Sequence, residues 1–276
     1  MELSTLIDKA IEEDLGEGDI TTDTLVDPKL PALAVLSSKQ TCVLAGLDIA
    51  HKVFTRIDPQ CKWDPQTKDG EWVEAGETIV KIRGKAASLL KAERVALNFL
   101  QHLCGIATQT RKFVDAVSNT KVKILDTRKT LPGWRALEKY AVRMGGGNNH
   151  RLGLFDRYLI KNNHIDIAGG ISKAVEKVLS HKKSSILVEV EVRNLEELKI
   201  ALKYPVDIIL LDNFDTKLAK EAVQIGKGKV KFEASGGINL FNVAEYAATG
   251  VDFISVGALT HSAPAADLHL VITGTV

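Results

Sequence analysis

The stretch ILVEVEVRNLEELKIALKYPVDIILLDNF, residues 186–214, decides the fold. Its first part alternates strictly, so Ile186, Val188, Val190 and Val192 share one face of a strand while Leu187, Glu189 and Glu191 share the other. Residues 194–204 then read as a helix, and Asp207 to Asp212 as a second strand. Strand, helix, strand in that order makes a parallel pair, because each return to the same end of a sheet needs a crossover. A barrel strand buries its outward face under helices, so both glutamates are expected to point into a barrel, toward its mouth. Asp212 would stand beside Glu191 at the end of the next strand.

The same pattern extends in both directions. Val122 to Asp126, Tyr158 to Lys161, Val230 to Ser235 and Phe253 to Val256 are further strand-like runs, and 215–226 is a further helix. The last three strands begin at residues 207, 230 and 253, a tight repeat typical of a (β/α) barrel. A complete eightfold barrel takes roughly 250 residues, so the shorter segment 106–264 is expected to have fewer strands or an irregular closure. Before it, Leu3, Leu6, Ile7, Ala10, Ile11 and Leu15 recur at helical spacing with Gly16 in the capping position. Short strands follow at 32–36, 41–44 and 78–82, punctuated by Asp58-Pro59, Asp64-Pro65, Asp69-Gly70 and Ala75-Gly76. From Lys85 to Cys104 a helix sets Leu89, Ala92, Ala96, Phe99 and Leu103 against a polar stripe of Lys91, Arg94, Asn98 and Gln101. Residues 1–105 therefore read as a small α+β module ahead of the barrel.

With 36 Lys and Arg against 35 Asp and Glu, and 45% apolar residues in a 276-residue chain, the composition is that of a globular protein with a sizeable core. It argues against disorder and against a general nucleic-acid binder. No apolar run is long enough to cross a membrane, and the acidic, amphipathic start is unlike a signal peptide, so a cytoplasmic location is expected. Cys42, Cys61 and Cys104 are too scattered to suggest zinc and read as reduced thiols.

Charge is distributed unevenly. Residues 121–161 carry ten Lys and Arg against Asp126, Glu138 and Asp156, a surplus of seven in a chain of net +1. Such focusing suits a strongly anionic small ligand. Arg135, Lys139 and Arg143 share helical spacing and fit a solvated helix face. Arg128, Lys129, Arg151 and Lys161 sit at strand ends or beside the turn Gly145-Gly146-Gly147, where His150-Arg151 offer a donor and a planar fork for carboxylate or phosphate. Glu191 and Asp212, opposite this cluster, could hold Mg²⁺ or stabilise a developing cation, or fill a polar core as ion pairs. The last two strands end in Ser235-Gly236-Gly237 and Val256-Gly257, with His261 close behind. Glycine-rich turns there, each leading to a helix N-terminus, are the common phosphate site of this architecture. A phosphorylated ligand and a carboxylate-rich anion are implied. Lys161 could instead be a Schiff-base lysine in an aldolase-like enzyme.

Glu13-Asp14-Leu15-Gly16 with Gly18-Asp19-Ile20-Thr21-Thr22, Glu93-Arg94 with Ala96-Leu97-Asn98, Asp126 to Thr130, Gly146-Gly147 with His150-Arg151, Ile160 to His164, Leu211-Asp212-Asn213 and Ala234 to Gly237 resemble the nicotinate-nucleotide pyrophosphorylase family, also called quinolinate phosphoribosyltransferase. The likeness runs in unbroken order from about residue 5 to about residue 270. It implies an N-terminal α+β sandwich rejoined by residues 265–276, plus an irregular parallel α/β barrel of the type II phosphoribosyltransferase kind. It implies synthesis of nicotinate mononucleotide, pyrophosphate and CO₂ from quinolinate and 5-phosphoribosyl 1-diphosphate (PRPP) with Mg²⁺, in de novo NAD synthesis. Family members are dimers or higher assemblies, in which Arg94 would reach the neighbouring subunit's site. By the same resemblance, Arg94, Arg128, His150 and Arg151 meet quinolinate, with Lys161 nearby. Lys129 and Lys161 face the phosphate-rich substrate, and Glu191 and Asp212 lie near the ribose and its metal; these four are the expected catalytic residues. Ser235, Gly236, Gly237, Gly257 and His261 bind phosphate, while Glu189 is ambiguous beside Glu191. The rivals are a paralogous branch linked to molybdenum transport, a lyase or aldolase using Lys161, and a non-catalytic phospholigand binder.

Overall fold

The computed structural model describes residues 2–275, which form two compact units. The first takes the chain up to residue 111, residues 131–146 and residues from 263 onward; the second takes 112–130 and 147–262. The strands, in chain order, are β1 (Pro31–Ser38), β2 (Cys42–Val43), β3 (Lys62–Pro65), β4 (Trp72–Val73), β5 (Thr78–Lys85), β6 (Lys123–Leu125), β7 (Tyr158–Ile160), β8 (Val188–Val192), β9 (Ile208–Asp212), β10 (Lys231–Ser235), β11 (Phe253–Ser255) and β12 (Leu268–Thr275).

In the first unit, β12, β1, β5 and β3 form an antiparallel sheet in that order, and β2 pairs with β4. Along β1 every second residue is buried, from Ala32 to Ser38, as a sheet with one face on a core requires. Asp64-Pro65, expected to be turn punctuation, instead ends β3, an edge strand where a missing N–H costs no ladder bond. The opening helix spans Leu3–Leu15, and the Gly16 N–H closes it on the Glu12 carbonyl.

The long helix Ala86–Ala116 buries all five residues of its predicted apolar stripe. It does not stop at Cys104. Gly105 continues it because this turn lies against the Pro264 backbone, where an added Cβ would come within 2.1 Å of the carbonyl oxygen. The polar stripe divides: Gln101 binds the Leu268 carbonyl at 2.9 Å and so holds β12, Lys91 pairs with Asp23, and Arg94 and Asn98 are exposed.

The compact units divide the chain differently from a cut at residue 105, since that position falls inside one helix and residues 131–146 join the first unit. Side chains explain the second point: Trp134 stacks on Phe99 with centroids 4.7 Å apart, and Glu138 meets His102 at 2.8 Å. Met1 and Val276, at the ends of the expected first domain, lie outside the described residues.

The second unit holds six parallel strands in the order β6-β11-β10-β9-β8-β7, so all six predicted strands are present with trimmed ends. No ladder joins β6 to β7 among the described residues. Instead Asn148 bridges Leu125 on the outer edge of β6, and residues 149–157 cross from there to Tyr158 at the start of β7. The expected irregular barrel is thus a parallel sheet whose open edge is spanned by chain. Between its strands, the helices Leu195–Ala201 and Thr216–Gly226 begin on Asn194 and Asp215, whose side chains cap backbone N–H groups. Among the described residues no helix is long and apolar enough to cross a membrane, and Cys42, Cys61 and Cys104 are buried free thiols.

Candidate active site

A cavity of about 770 Å³ opens at the C-terminal ends of β6 to β11. Its wall includes Arg128, Lys129, His150, Arg151, Lys161, Glu191, Asp212, Ser235, Gly236, Gly237, Gly257 and His261, twelve of the thirteen residues singled out from the sequence. The thirteenth, Arg94, lines a shallow surface cleft of the first unit with Asp19 and Lys91. Arg135, Lys139 and Arg143 lie in the first unit, so the cations of the barrel cavity are those at strand ends and beside the glycine turn.

Each functional group is set by a short piece of local structure. Lys161 follows β7, and its half-exposed ammonium lies 3.3 Å from Glu191. Asp212 ends β9 and accepts from Asn213 Nδ2 at 3.1 Å. Asn213 adopts φ 55°, and its N–H donates to the Ser235 carbonyl at 2.9 Å, which joins the ends of β9 and β10. Gly236 completes that corner. Its φ is +99°, and an added Cβ would lie 2.1 Å from Asn213 Oδ1, so both conformation and space demand glycine. The Thr260 hydroxyl donates to the Lys129 carbonyl at 2.7 Å and fixes the loop after β6.

One expectation for the phosphate turns needs correction. After Ser235-Gly236-Gly237 the chain makes a turn through Asn239 and Asn242 before the short helix Val243–Ala247, so no helix begins at these glycines. Gly257 does lead directly into a helix, but Ala258–His261 is a single turn with a small dipole. Exposed backbone N–H groups, rather than a macrodipole, are what these turns offer an anion.

Below the mouth lies a polar floor that the sequence reading did not assemble. Glu189 and Glu233 are fully buried, while His150 and Arg151 are nearly so. Glu189 Oε2 accepts from Arg157 Nη1 at 2.9 Å and lies 3.1 Å from His150 Nε2, while Glu233 Oε2 lies 3.6 Å from the same nitrogen. The His150 N–H donates to Asp126 Oδ1 at 2.8 Å, so buried Asp126 anchors the segment as it leaves β6. Period-two spacing from Glu191 and Ser235 was the available signal for Glu189 and Glu233; nothing local marked Arg157.

Electrostatics separates these groups. Burial, then the charge of Glu189, push Glu233 well above the usual carboxylate range, which favours its protonated form. Burial would raise Glu189 too, but the hydrogen bonds from His150 and Arg157 and the charge of Arg157 outweigh it and hold Glu189 below that range. Burial and the neighbouring Arg128 lower Arg151 from its ordinary value, and Arg128 Nε is buried without a partner. A guanidinium donor left over in a cation-lined cavity suits an anion.

Residues 19–104 match the family model described as quinolinate phosphoribosyl transferase, N-terminal domain, and residues 106–271 match its C-terminal domain. The chain belongs to the quinolinate phosphoribosyltransferase family. A chloroplastic nicotinate-nucleotide pyrophosphorylase (carboxylating) of Arabidopsis thaliana is 41% identical to it over 290 residues, covering 98% of this chain and 83% of the relative. The solved nicotinate-nucleotide pyrophosphorylase from Francisella tularensis superposes with a TM-score of 0.95 at 44% identity, covering 98% of this chain and 96% of that one. That from Ehrlichia chaffeensis gives 0.93 at 41% identity over 99% of each. Membership assigns the cavity to this family's barrel domain, and the mixed α/β architecture read from the sequence is that of its solved members.

Proposed function

We propose that this chain transfers the phosphoribosyl group of PRPP to the ring nitrogen of quinolinate, releasing pyrophosphate and CO₂ and leaving nicotinate mononucleotide for NAD synthesis. The observation that carries this reading is the single cavity in which Arg128, Lys129, Arg151 and Lys161 face Glu191, Asp212 and two glycine turns. Quinolinate is a dianion and PRPP carries many negative charges, so the cations balance both. As the bond from ribose C1 to the pyrophosphate oxygen breaks, positive charge grows on the sugar, and Glu191 and Asp212 stabilise it at short range. The ring nitrogen then bonds to C1 and becomes quaternary. The adjacent carboxylate leaves as CO₂, its bonding pair passes to the ring carbon, and that carbon takes a proton. No residue is required as a nucleophile. Lys161 is half-exposed and ion-paired, the setting of a charge rather than of an amine desolvated for attack.

Glu191 and Asp212 also fit a magnesium ion by donor chemistry: hard carboxylate oxygens at an open mouth, where the ion takes one or two protein ligands and the rest from substrate phosphates. Bound there, it would neutralise charge on the diphosphate. Exposure of Arg94 away from the cavity wall supports a role in the neighbouring subunit's site of a homodimer or larger assembly. The buried free thiols support a reducing compartment such as the cytoplasm.

The test is release of CO₂ and identification of the pyridine product from quinolinate, PRPP and Mg²⁺, with nicotinic acid as the control substrate. Turnover of quinolinate alone is expected; silence in folded protein sinks the reading. Arg94→Ala should impair quinolinate use far more than PRPP binding. Mixing it with Glu191→Gln should restore part of the activity, because one hybrid site is then intact, and mixed dimers without restoration would refute a shared site.

A further inference from the structure

The proposed chemistry uses Glu191 and leaves Glu189, two residues earlier on the same strand face, without a task. Its surroundings supply one. The His150 ring has both nitrogens engaged: Nδ1 accepts the Arg151 backbone N–H at 2.7 Å, and Nε2 faces Glu189 Oε2 at 3.1 Å. A ring nitrogen that accepts an N–H carries no proton of its own, so the ring's one proton sits on Nε2 and is donated to Glu189. Around the ring stand Glu189 from β8, Glu233 from β10, Arg157 ahead of β7, and Arg151 itself, with Asp126 after β6 holding the His150 backbone. The Arg151 side chain is tied as well, since its Nη1 donates to the Arg157 carbonyl at 3.3 Å.

We propose that Glu189 is a positioning residue: it holds His150 in the Nε2–H form, and the freed Nδ1 fixes the backbone of Arg151, the guanidinium that reads the dicarboxylate. This rests on the proposed quinolinate activity. Glu233 completes the pocket around the ring without displacing Glu189, and Arg157 supplies the countercharge. His150, Glu189 and Glu233 also place one possible ligand atom each within 4.8 Å, but Arg157 lies against that cluster and repels a divalent ion.

Two measurements test the assignment. In wild-type protein labelled with ¹⁵N-histidine, the signals lost in His150→Gln should show a neutral Nε2–H ring at pH 7. An imidazolium, an Nδ1–H ring or a tightly held transition metal would overturn the proposal. Because Glu189→Leu alone would strand the Arg157 charge, the kinetic variant is E189L/R157M. Its KM for quinolinate should rise about tenfold with the KM for PRPP within about twofold, a loss confined to one substrate. E189Q/R157M keeps an acceptor oxygen for Nε2–H and should recover most of that loss. Equal effects on both substrates, or no recovery by glutamine, would mark Glu189 as packing only. Wild-type protein without quinolinate turnover would instead sink the activity itself, while leaving the ring signals as expected.

Discussion

Glu189 and Glu191 leave the same face of β8, yet one belongs to a sealed floor and the other to an open mouth. Glu189 is fully buried, bonded to Arg157 and His150, and absent from the cavity wall. Glu191 reaches the wall and pairs with a half-exposed Lys161 that solvent screens. One strand step, about 7 Å along the chain for every second residue, therefore separates a group spent on holding the site from one available for chemistry. In the floor the Glu189 charge is matched through Oε2 to Arg157 and His150, because an unmatched charge there is too costly, while Glu233 has no hydrogen-bond partner for either oxygen among the described residues. At the mouth cations outnumber acids, and a highly charged substrate completes the balance.

The sharpest way to break this contrast is at the mouth. Glu191→Gln should lower kcat about 100-fold or more, the usual scale for losing one preorganised electrostatic group, with little change in KM or melting temperature. A change confined to KM would remove Glu191 from the transition state. The corner between β9 and β10 offers an intermediate effect. Gly236→Ala must force a Cβ against Asn213 Oδ1 at φ +99°, which should cost about 1–3 kcal/mol of stability and weaken PRPP use. Denaturant unfolding and PRPP titration check it; an unchanged midpoint would show that the corner can open.

The floor is tested by pH rather than by activity. Glu233 keeps its proton in the folded chain to a higher pH than in the unfolded one. Below the ordinary carboxylate range both states are protonated. As pH rises through that range the unfolded chain releases its proton and the folded chain does not, so stability falls with pH until the raised folded value is reached. Glu233→Gln has no proton to lose and should remove this decline, so its melting temperature should fall less than that of the wild type between pH 4 and pH 7. Parallel melting curves of the two proteins across that interval would show instead that Glu233 is ionised in the fold.

Much of this was legible beforehand, and the exceptions share a cause. The six barrel strands follow from period-two and β-branched runs, and twelve of the thirteen chosen residues line one cavity, because barrel strands deliver their ends to a common mouth. The helix read from Lys85 to Cys104 runs on to Ala116, past Gly105, whose missing side chain admits the Pro264 backbone, a contact that no local pattern reveals. Pro65 misled, since only its place on an edge strand makes it tolerable within β3. The Ser235-Gly236-Gly237 turn carried the composition of a helix start without being one.

The amino-acid sequence by itself determined the succession of strands and helices, the strand face that carries Glu189 and Glu191, and the concentration of cations beside them. Those depend on periodicity and order along the chain, which are local quantities. Tertiary structure alone decided which compact unit takes residues 131–146, how residues 149–157 span the open edge from β6 to β7, and that Arg157, His150 and two glutamates close a floor beneath the mouth. These depend on which side chains meet across distant parts of the chain. Burial then sets their charge states, and no spacing rule encodes burial.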